Sequence, residues 1–465
     1  MAGFLYFYVM KLTRLIEAFF SKYMPSPFAI ALLLTLATMV LALMLTEPPK
    51  DQSHVLAILS YWENGIWNNA LLVFAYQMIL ILVLGHILVL STPMNKLIEK
   101  ITMGVRNTGT AVVLVSVTTM LVAFFNWGLG LIFGAILARK IAESAQKNGF
   151  SINYPLVGAA GYGGFMIWHG GISGSAPSKV AEAGHLASLM EGINPGAVAA
   201  LPQQITYADT IFSTSNLLIF LVVLVAVPLM LYAIGRRLPA TAISLPQYQG
   251  AANSDADISG AVYDRSRIFG TAIGLLVLGA FIYQYAESLA NLAITPNMLN
   301  FFMLGVALIL HGRVSNFLLA LEEAIKGASG ILIQFPLYFG IMGIMKDSGM
   351  VVLISEFFVS IATPITLPIF TFFSAGLVNI FVPSGGGQWA VQGPIVIESA
   401  QQLGVPLPKA IMALAYGDQL TNMLQPFWAL PLLGITRLKA KEILPYTLLI
   451  MLLGAVIFIA GLLLW

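Results

Sequence analysis

In the segment YGDQLTNMLQPF, Asp418, Thr421, Asn422 and Gln425 recur at i, i+3, i+4 and i+7, so a helix would carry them on one face. Their neighbours are mostly apolar. The face therefore points into protein, and a carboxylate at such depth marks a path for an ion or a proton. Interhelical hydrogen bonding accounts for Thr421, Asn422 and Gln425 but explains the carboxylate poorly. Pro426 removes a backbone N–H just beyond, which predicts a broken helix whose freed carbonyls could coordinate a cation. A second constellation, WHGGISGSAPSK, sets His169, Ser173 and Ser175 among Gly170, Gly171 and Gly174. The glycines predict another break, and a histidine there is either a proton carrier or a hydrogen-bonded structural residue. In ADTIFSTSN, Asp209, Ser213 and Asn216 share a face, with Asp209 read as a helix cap. Lys179 is read as reaching outward to water.

The third constellation, FVPSGGGQWAVQGP from Phe381 to Pro394, holds two prolines and four glycines. Bare backbone of this kind is tolerated at membrane depth only where it lines a protein-enclosed, watered cavity. There it becomes a ligand. Ser384 offers a hydroxyl, Gly385, Gly386 and Gly387 let backbone N–H groups approach an anion, and the following half-helix aims its positive end at it. A side chain at Gly386 is expected to block that approach or to strain a turn needing positive φ. Gln388 and Gln392 are too polar for a lipid-facing segment, which favours a pocket over a tight turn outside the membrane. Asn126 and Trp127, in the interruption NWGLG, and Asn379 before the glycine run complete the expected anion site with His169, Ser173, Ser175, Thr421 and Asn422. Asp418, Gln425 and Asn216 are assigned to a coupling ion. Trp127, Trp389, Phe427 and Trp428 would supply a small apolar wall, unless they are packing or interface residues. No strong basic cluster lies within the spans, which favours an anion of one charge over two.

The elements that must hold these groups are membrane helices. The chain has 465 residues, 58% hydrophobic and 9% charged, and its mean hydropathy is +0.89. Such a composition describes an all-α polytopic membrane protein. A net charge of +2 gives no reason to expect a nucleic-acid partner, and the absence of cysteine excludes thiolate metal sites, disulfides and iron–sulfur clusters. The first 24 residues lack the layout of a signal peptide and read as an interfacial helix. Spans are expected near 26–46, 70–91, 152–172, 210–235, 268–286, 297–311, 328–345, 408–434 and 445–465. The stretches 109–138 and 365–397 are interrupted and read as re-entrant hairpins. With that path and a cytoplasmic N-terminus, 18 of the 22 Lys and Arg residues face the cytoplasm, and the C-terminus lies outside.

The chain also resembles itself. Ala159–Pro177 and Ala413–Pro431 align without gaps, pairing Tyr162 with Tyr416, Gly163 with Gly417 and Pro177 with Pro431. Asn126 and Asn379, and Gln77 and Gln334, fall at similar separations. These landmarks give a first inverted repeat over 25–238, a cytoplasmic linker over 239–267, a linking helix over 268–294 and a second repeat over 295–465.

The motifs NWGLG, WHGGISGSAPSK, FVPSGGGQWAVQGP and YGDQLTNMLQPFW, in this order across nearly the whole chain, resemble the bacterial short-chain fatty acid transporters of the acetoacetate and butyrate uptake type. The resemblance extends to a larger superfamily with dicarboxylate–sodium symporters and aminobenzoyl-glutamate transporters. It implies a scaffold, an elevator-type transport domain, two hairpins and two broken helices in a bacterial inner membrane. The Ser-Asn-Thr signature of the dicarboxylate carriers' hairpin tips is missing, so proton and sodium coupling both stay open, as does a homodimer. An anion channel, a dicarboxylate carrier and an intramembrane enzyme are the competing classes. No GxxxxGK[ST], HExxH or GxSxG motif occurs to suggest ATP drive or hydrolysis, and neither a cofactor nor a resident metal is expected.

Overall fold

A computed structural model describes residue 22 and residues 25–50, 52–191, 201–242, 244–245, 262–290 and 295–465. The expected N-terminal interfacial helix and the central part of the polar linker lie outside these residues. Among the described residues the fold is helical, apart from one isolated bridge between Ile152 and Thr241. The helices are α1 (Pro27–Leu45), α2 (His54–Ile66), α3 (Asn69–Leu90), α4 (Thr92–Thr102), α5 (Thr108–Phe125), α6 (Trp127–Asn148), α7 (Tyr154–Tyr162), α8 (Ser175–Val180), α9 (His185–Glu191) and α10 (Thr214–Gly235). After the linker follow α11 (Arg267–Ala290), α12 (Pro296–His311), α13 (Val314–Ile325), α14 (Ser329–Asp347), α15 (Met350–Ser360), α16 (Leu367–Phe381), α17 (Gly385–Leu403), α18 (Leu407–Thr421), α19 (Pro426–Thr436) and α20 (Ala440–Leu464).

Six of these, α1, α3, α5, α10, α11 and α20, are long and apolar enough to cross a bilayer unbroken. Where sequence suggested single spans at 152–172 and 408–434, the helices stop short. α7 tightens into a 3-10 turn over Gly163–Met166 and then loses helical form until Ser175. Close approach explains the glycines there: a Cβ at Gly171 would lie 2.4 Å from the Phe124 carbonyl oxygen, and one at Gly174 would lie 2.0 Å from that of His169. α18 likewise tightens over Asn422–Leu424, and α19 restarts at Pro426, which fills the first helical position where no N–H is needed.

Both interrupted stretches are helix–turn–helix pairs folded back on themselves. Asn126 ends α5 and begins α6, its Oδ1 accepting from the Leu129 N–H at 2.9 Å. Small residues bring the arms together, since a Cβ on Gly130 would meet that of Ala123 at 2.5 Å. In the second pair Ser384 caps α17, and the arms are tied by Gln388 Nε2 donating to the Ala375 carbonyl (2.9 Å) and Gln392 Nε2 to Ser374 Oγ (3.1 Å). The order of pair, broken helix and long apolar helix therefore occurs twice, as α5–α10 and α16–α20. Several landmarks change meaning. The capping counterpart of Asn126 is Ser384, whereas Asn379 sits inside the last turn of α16. α10 is capped by Ser213, while Asp209 closes a local turn by accepting from the N–H and hydroxyl of Thr206. α2, with Asn and Glu in a 13-residue helix, gave no span-like signal.

Candidate functional site

The two breaks cross, and polar groups from opposite halves of the chain hold them together. His169, in the first break, has its Nδ1 3.0 Å from Asp418 Oδ2 near the end of α18, a close contact off the axis of a well-formed hydrogen bond. Both side chains are fully buried. The Ala176 N–H donates to His169 Nε2 at 3.1 Å, so that nitrogen carries the lone pair and a neutral ring places its proton on Nδ1, toward the carboxylate. Gln419 Oε1 accepts from the N–H groups of His169 (3.0 Å) and Gly170 (3.4 Å). Sequence reasoning passed over Gln419 because it lies off the Asp418 stripe; a second buried amide beside the acid was the only signal. Tyr162 and Tyr416, paired by the internal alignment, do matching work. Tyr162 donates to the carbonyl of Asn422 (2.8 Å) in the second break. Tyr416 donates to Asn216 Oδ1 (2.7 Å), whose Nδ2 donates to the carbonyl of Gly170 (2.9 Å) in the first. Asn216 is thus placed as a bridge to the first break, away from the Asn379 cluster.

That cluster joins α16 to the second break. Asn379 Nδ2 lies 2.7 Å from the Asp418 carbonyl, 2.9 Å from Thr421 Oγ1 and 2.7 Å from Asn422 Oδ1. Thr421 donates to the Gly376 carbonyl (3.0 Å), and Gln425 Nε2 donates to the Asn379 carbonyl. α16 and α18 approach closely enough for this because of Gly417, where a Cβ would lie 2.1 Å from the Phe372 carbonyl oxygen.

The hairpin tips meet the first break from two sides. At the first tip the Trp127 N–H donates to Ser173 Oγ (2.9 Å) and the Phe124 carbonyl accepts from Ile172 N–H (2.7 Å). At the second, Gly385 packs so closely that a Cβ there would be 2.9 Å from His169 Cε1, 2.9 Å from Trp168 Cη2 and 3.0 Å from Ser175 Oγ. Gly386 faces open space, with only Ser175 Oγ at 4.0 Å. The tip glycines do not adopt positive φ; among the described residues that conformation belongs to Gly149, Gly184, Gly312, Gly349, Gly404 and Arg437. Gly385, Gly386 and Gly387 instead form the first turn of α17, where Ser384 Oγ accepts from the Gly387 N–H (3.2 Å). The N–H groups of Gly385 and Gly386 have no acceptor among the described residues. Gln388, expected at the tip, points back between the hairpin arms and also donates to Gln392 Oε1 (2.6 Å).

Aromatic side chains fill the space beside the tips. Trp127 lies 5.1 Å between ring centroids from Trp428 and 6.1 Å from Trp168, with Phe74 of α3 and Phe165 on either side. Phe427 stacks on Phe335 of α14 at 4.0 Å. The indole N–H groups of Trp168 and Trp428 are buried without an acceptor. Trp389 stands apart from this cluster: it packs among residues of α8, α9, α16 and α18 and donates to His185 Nε2 (3.0 Å). Lys179 is half-exposed and pairs with Glu182 at 2.8 Å. Among the described residues no Lys or Arg is buried, and Asp418 is the one buried carboxylate. No group of three or more His, Cys, Asp or Glu gathers as metal ligands among them. The centre can thus offer hydrogen-bond donors and helix ends to an anion, and one acid with neutral oxygens to a cation.

The sequence model of the family described as short chain fatty acid transporter matches residues 8–465. A protein of Escherichia coli (strain K12), named as a candidate short-chain fatty acid transporter, is 36% identical over 460 residues, covering 97% of this chain and 99% of its own. A Haemophilus influenzae protein with the same description is 35% identical over 466 residues, covering 98% and 99%. Two solved structures align over nearly the full length at low similarity. The Alcanivorax borkumensis YdaH transporter has a TM-score of 0.41 at 15% identity, covering 95% of this chain and 97% of that one. Neisseria gonorrhoeae MtrF, described as an antimetabolite efflux pump, has a TM-score of 0.43 at 14% identity, covering 97% of each. With its family model matched almost end to end and full-length relatives above one-third identity, this multi-pass membrane protein belongs to the short-chain fatty acid transporter family.

Proposed function

We propose that this chain is a secondary active transporter carrying small monocarboxylates, butyrate and acetoacetate among them, with a cation across the bacterial inner membrane. The observation that carries this reading is the pair of unpaired N–H groups of Gly385 and Gly386, with Trp168, whose indole N–H is also unpaired, packed against Gly385. Those donors, at the positive end of a 19-residue helix, suit a carboxylate, and the neighbouring Trp and Phe rings suit a short acyl chain. The charge balance supports coupling. A substrate carboxylate beside Asp418 brings two negative charges into a site with no buried Lys or Arg, so a proton or a metal cation must accompany it.

In this reading the hairpins and broken helices form the elevator that moves against a scaffold containing α3, α11, α12 and α14. The hairpins enter and leave the bilayer on one face, with the N-terminus cytoplasmic and the C-terminus outside. The test is uptake of labelled butyrate and acetoacetate into proteoliposomes, with proton and sodium gradients imposed separately. Accumulation above equilibrium and counterflow of labelled substrate are expected. Conductance without counterflow would replace the carrier by a channel.

A further inference from the structure

We propose that α8 and α9 form a strap over the second hairpin, fastened by the hydrogen bond from Trp389 to His185, and that a proton on His185 releases the hairpin arm. Its role as an acid-operated gate rests on the transport reading above; the fastening does not.

The strap starts inside the site. Ser175 opens α8 with its Oγ 3.0 Å from where a Cβ of Gly385 would stand, and the Ala176 N–H donates to His169 Nε2. From there Ala176, Val180, Leu186 and Met190, all fully buried, share one apolar cluster with Trp389 and Val396 of α17. α8 has six residues and α9 seven, too few to stand as helices without that contact. Backbone bonds tie the strap to the returning chain: the Gly184 N–H donates to the Gln203 carbonyl (2.9 Å) and the Ile205 N–H to the Val180 carbonyl (2.8 Å). Across to the hairpin, the indole N–H of Trp389, on the second turn of α17, donates to His185 Nε2 at 3.0 Å.

An indole N–H can only donate, so this bond needs a lone pair on Nε2 and a neutral ring. A proton there turns the acceptor into a second donor. Trp389 is 1% exposed and has no other acceptor among the described residues. A buried donor without a partner is costly, so the arm must shift until water serves the indole. Glu182 and Lys179 are the charged groups that act on His185, and they pair with each other at 2.8 Å; among the described residues no charge on α16, α17 or α18 does so. Partial burial holds the His185 pKa below the ordinary 6.5, with Glu182 raising it and Lys179 lowering it. The fastening is therefore complete at neutral pH and is lost as the pH falls through that lowered value. On the path proposed above the strap lies outside, so an acidic exterior loosens the hairpin and a neutral one holds it.

The test uses the purified full chain in detergent without substrate. The chain has no cysteine, so Met190→Cys places a single thiol beneath the strap. Its rate of reaction with a soluble maleimide is followed from about pH 7.5 to about pH 4.5, the span over which a histidine with a lowered pKa titrates. His185→Gln in the same background still accepts from the indole but does not titrate, so dividing by its rate at each pH cancels the titration of the thiol. That ratio should rise about fivefold to tenfold on acidification, the scale of one hydrogen bond. His185→Leu, which deletes the acceptor, should react faster than His185→Gln at every pH. Histidine-selective nitrogen spectra, with the His185 signal identified by its loss in His185→Gln, should show Nε2 bare at neutral pH and protonated in acid. Leu186→Cys repeats the measurement should Met190→Cys fail to fold. A flat ratio, or a His185 that stays neutral throughout, would overturn the strap. Butyrate uptake with a flat ratio would overturn it and leave the transport reading standing. Acid-released labelling with no butyrate uptake under either gradient would support the strap and remove that reading.

Discussion

A methyl group added at Gly385 and one added at Gly386, a single residue apart, should act on different properties of the protein. At Gly385 the new carbon would sit 2.9–3.0 Å from His169 Cε1, Trp168 Cη2 and Ser175 Oγ, where ordinary contacts run near 3.5–4.0 Å. All three neighbours would have to retreat by about 0.5 Å or more. His169 and Trp168 are buried rings that cannot swing into solvent, so overpacking should cost about 1–3 kcal/mol. The alanine recovers at most about 1 kcal/mol through helix propensity. At Gly386 the nearest atom is Ser175 Oγ at 4.0 Å and the residue is exposed, so Gly386→Ala should leave stability unchanged or slightly raised. Its methyl group instead occupies the approach to the two free N–H groups. Butyrate affinity should fall at least about tenfold, which is roughly 1.4 kcal/mol. Thermal unfolding and calorimetric butyrate titration of both variants in detergent would separate the effects. Equal destabilisation by Gly386→Ala and Gly385→Ala, or butyrate binding by Gly386→Ala equal to that of the unmodified chain, would refute the separation of the two roles.

Asp418→Asn should abolish gradient-driven accumulation in proteoliposomes while exchange of labelled for unlabelled butyrate persists; normal accumulation would remove Asp418 from coupling. Trp168→Phe keeps an aromatic ring and deletes one buried donor, so it should weaken butyrate binding by about tenfold or more, the scale of a hydrogen bond to a charged group; unchanged affinity would place the carboxylate elsewhere. Glu323 on α13 lies 2.7 Å from Lys326 and 3.0 Å from Arg437. Partial burial raises its pKa, but the hydrogen bond from Lys326 and the charges of Lys326 and Arg437 outweigh this and hold it below the ordinary 4.5. Its contribution to stability is therefore complete above about pH 4.5 and is lost as pH falls through the lowered value. Glu323→Gln should flatten that part of the acid-unfolding curve, and an identical curve would show that the pair contributes nothing.

The breaks were legible because glycine and proline act through the backbone, and backbone rules are local. WHGGISGSAP and NMLQPF announce lost helix without any knowledge of what packs against them. The polar stripe at Asp418, Thr421, Asn422 and Gln425 was legible only in part: the helix ends at Thr421, Asn422 opens a 3-10 turn and Gln425 is extended, so the Asp418 carboxylate meets His169 while the other three side chains gather at Asn379. What they meet was not legible. The contact of Asp418 with His169, the seat of Gly385 against Trp168 and the crowding of Asn379 all join positions remote in sequence. The misjudged φ of the tip glycines has a related cause. A glycine run reads as a turn in isolation, but Ser384 caps it and makes it the start of a helix. Trp389 shows the opposite limit: it lies near the tip in sequence, yet the helix turns it toward His185.

The crossing of the two breaks also dictates an order of events during synthesis. The N–H groups of His169 and Gly170 find their acceptor in Gln419, 250 and 249 residues further along the chain, and the hydroxyl of Tyr162 finds its own 260 residues on, at Asn422. At a ribosomal rate of about 5–20 residues per second, the first break waits on the order of 12–50 s for these partners. During that interval its unwound, glycine-rich backbone must be served by water, translocon or chaperone. A fragment ending before α18 would never be relieved of that need, and insertion of the first half cannot be completed until the last quarter of the chain has entered the membrane.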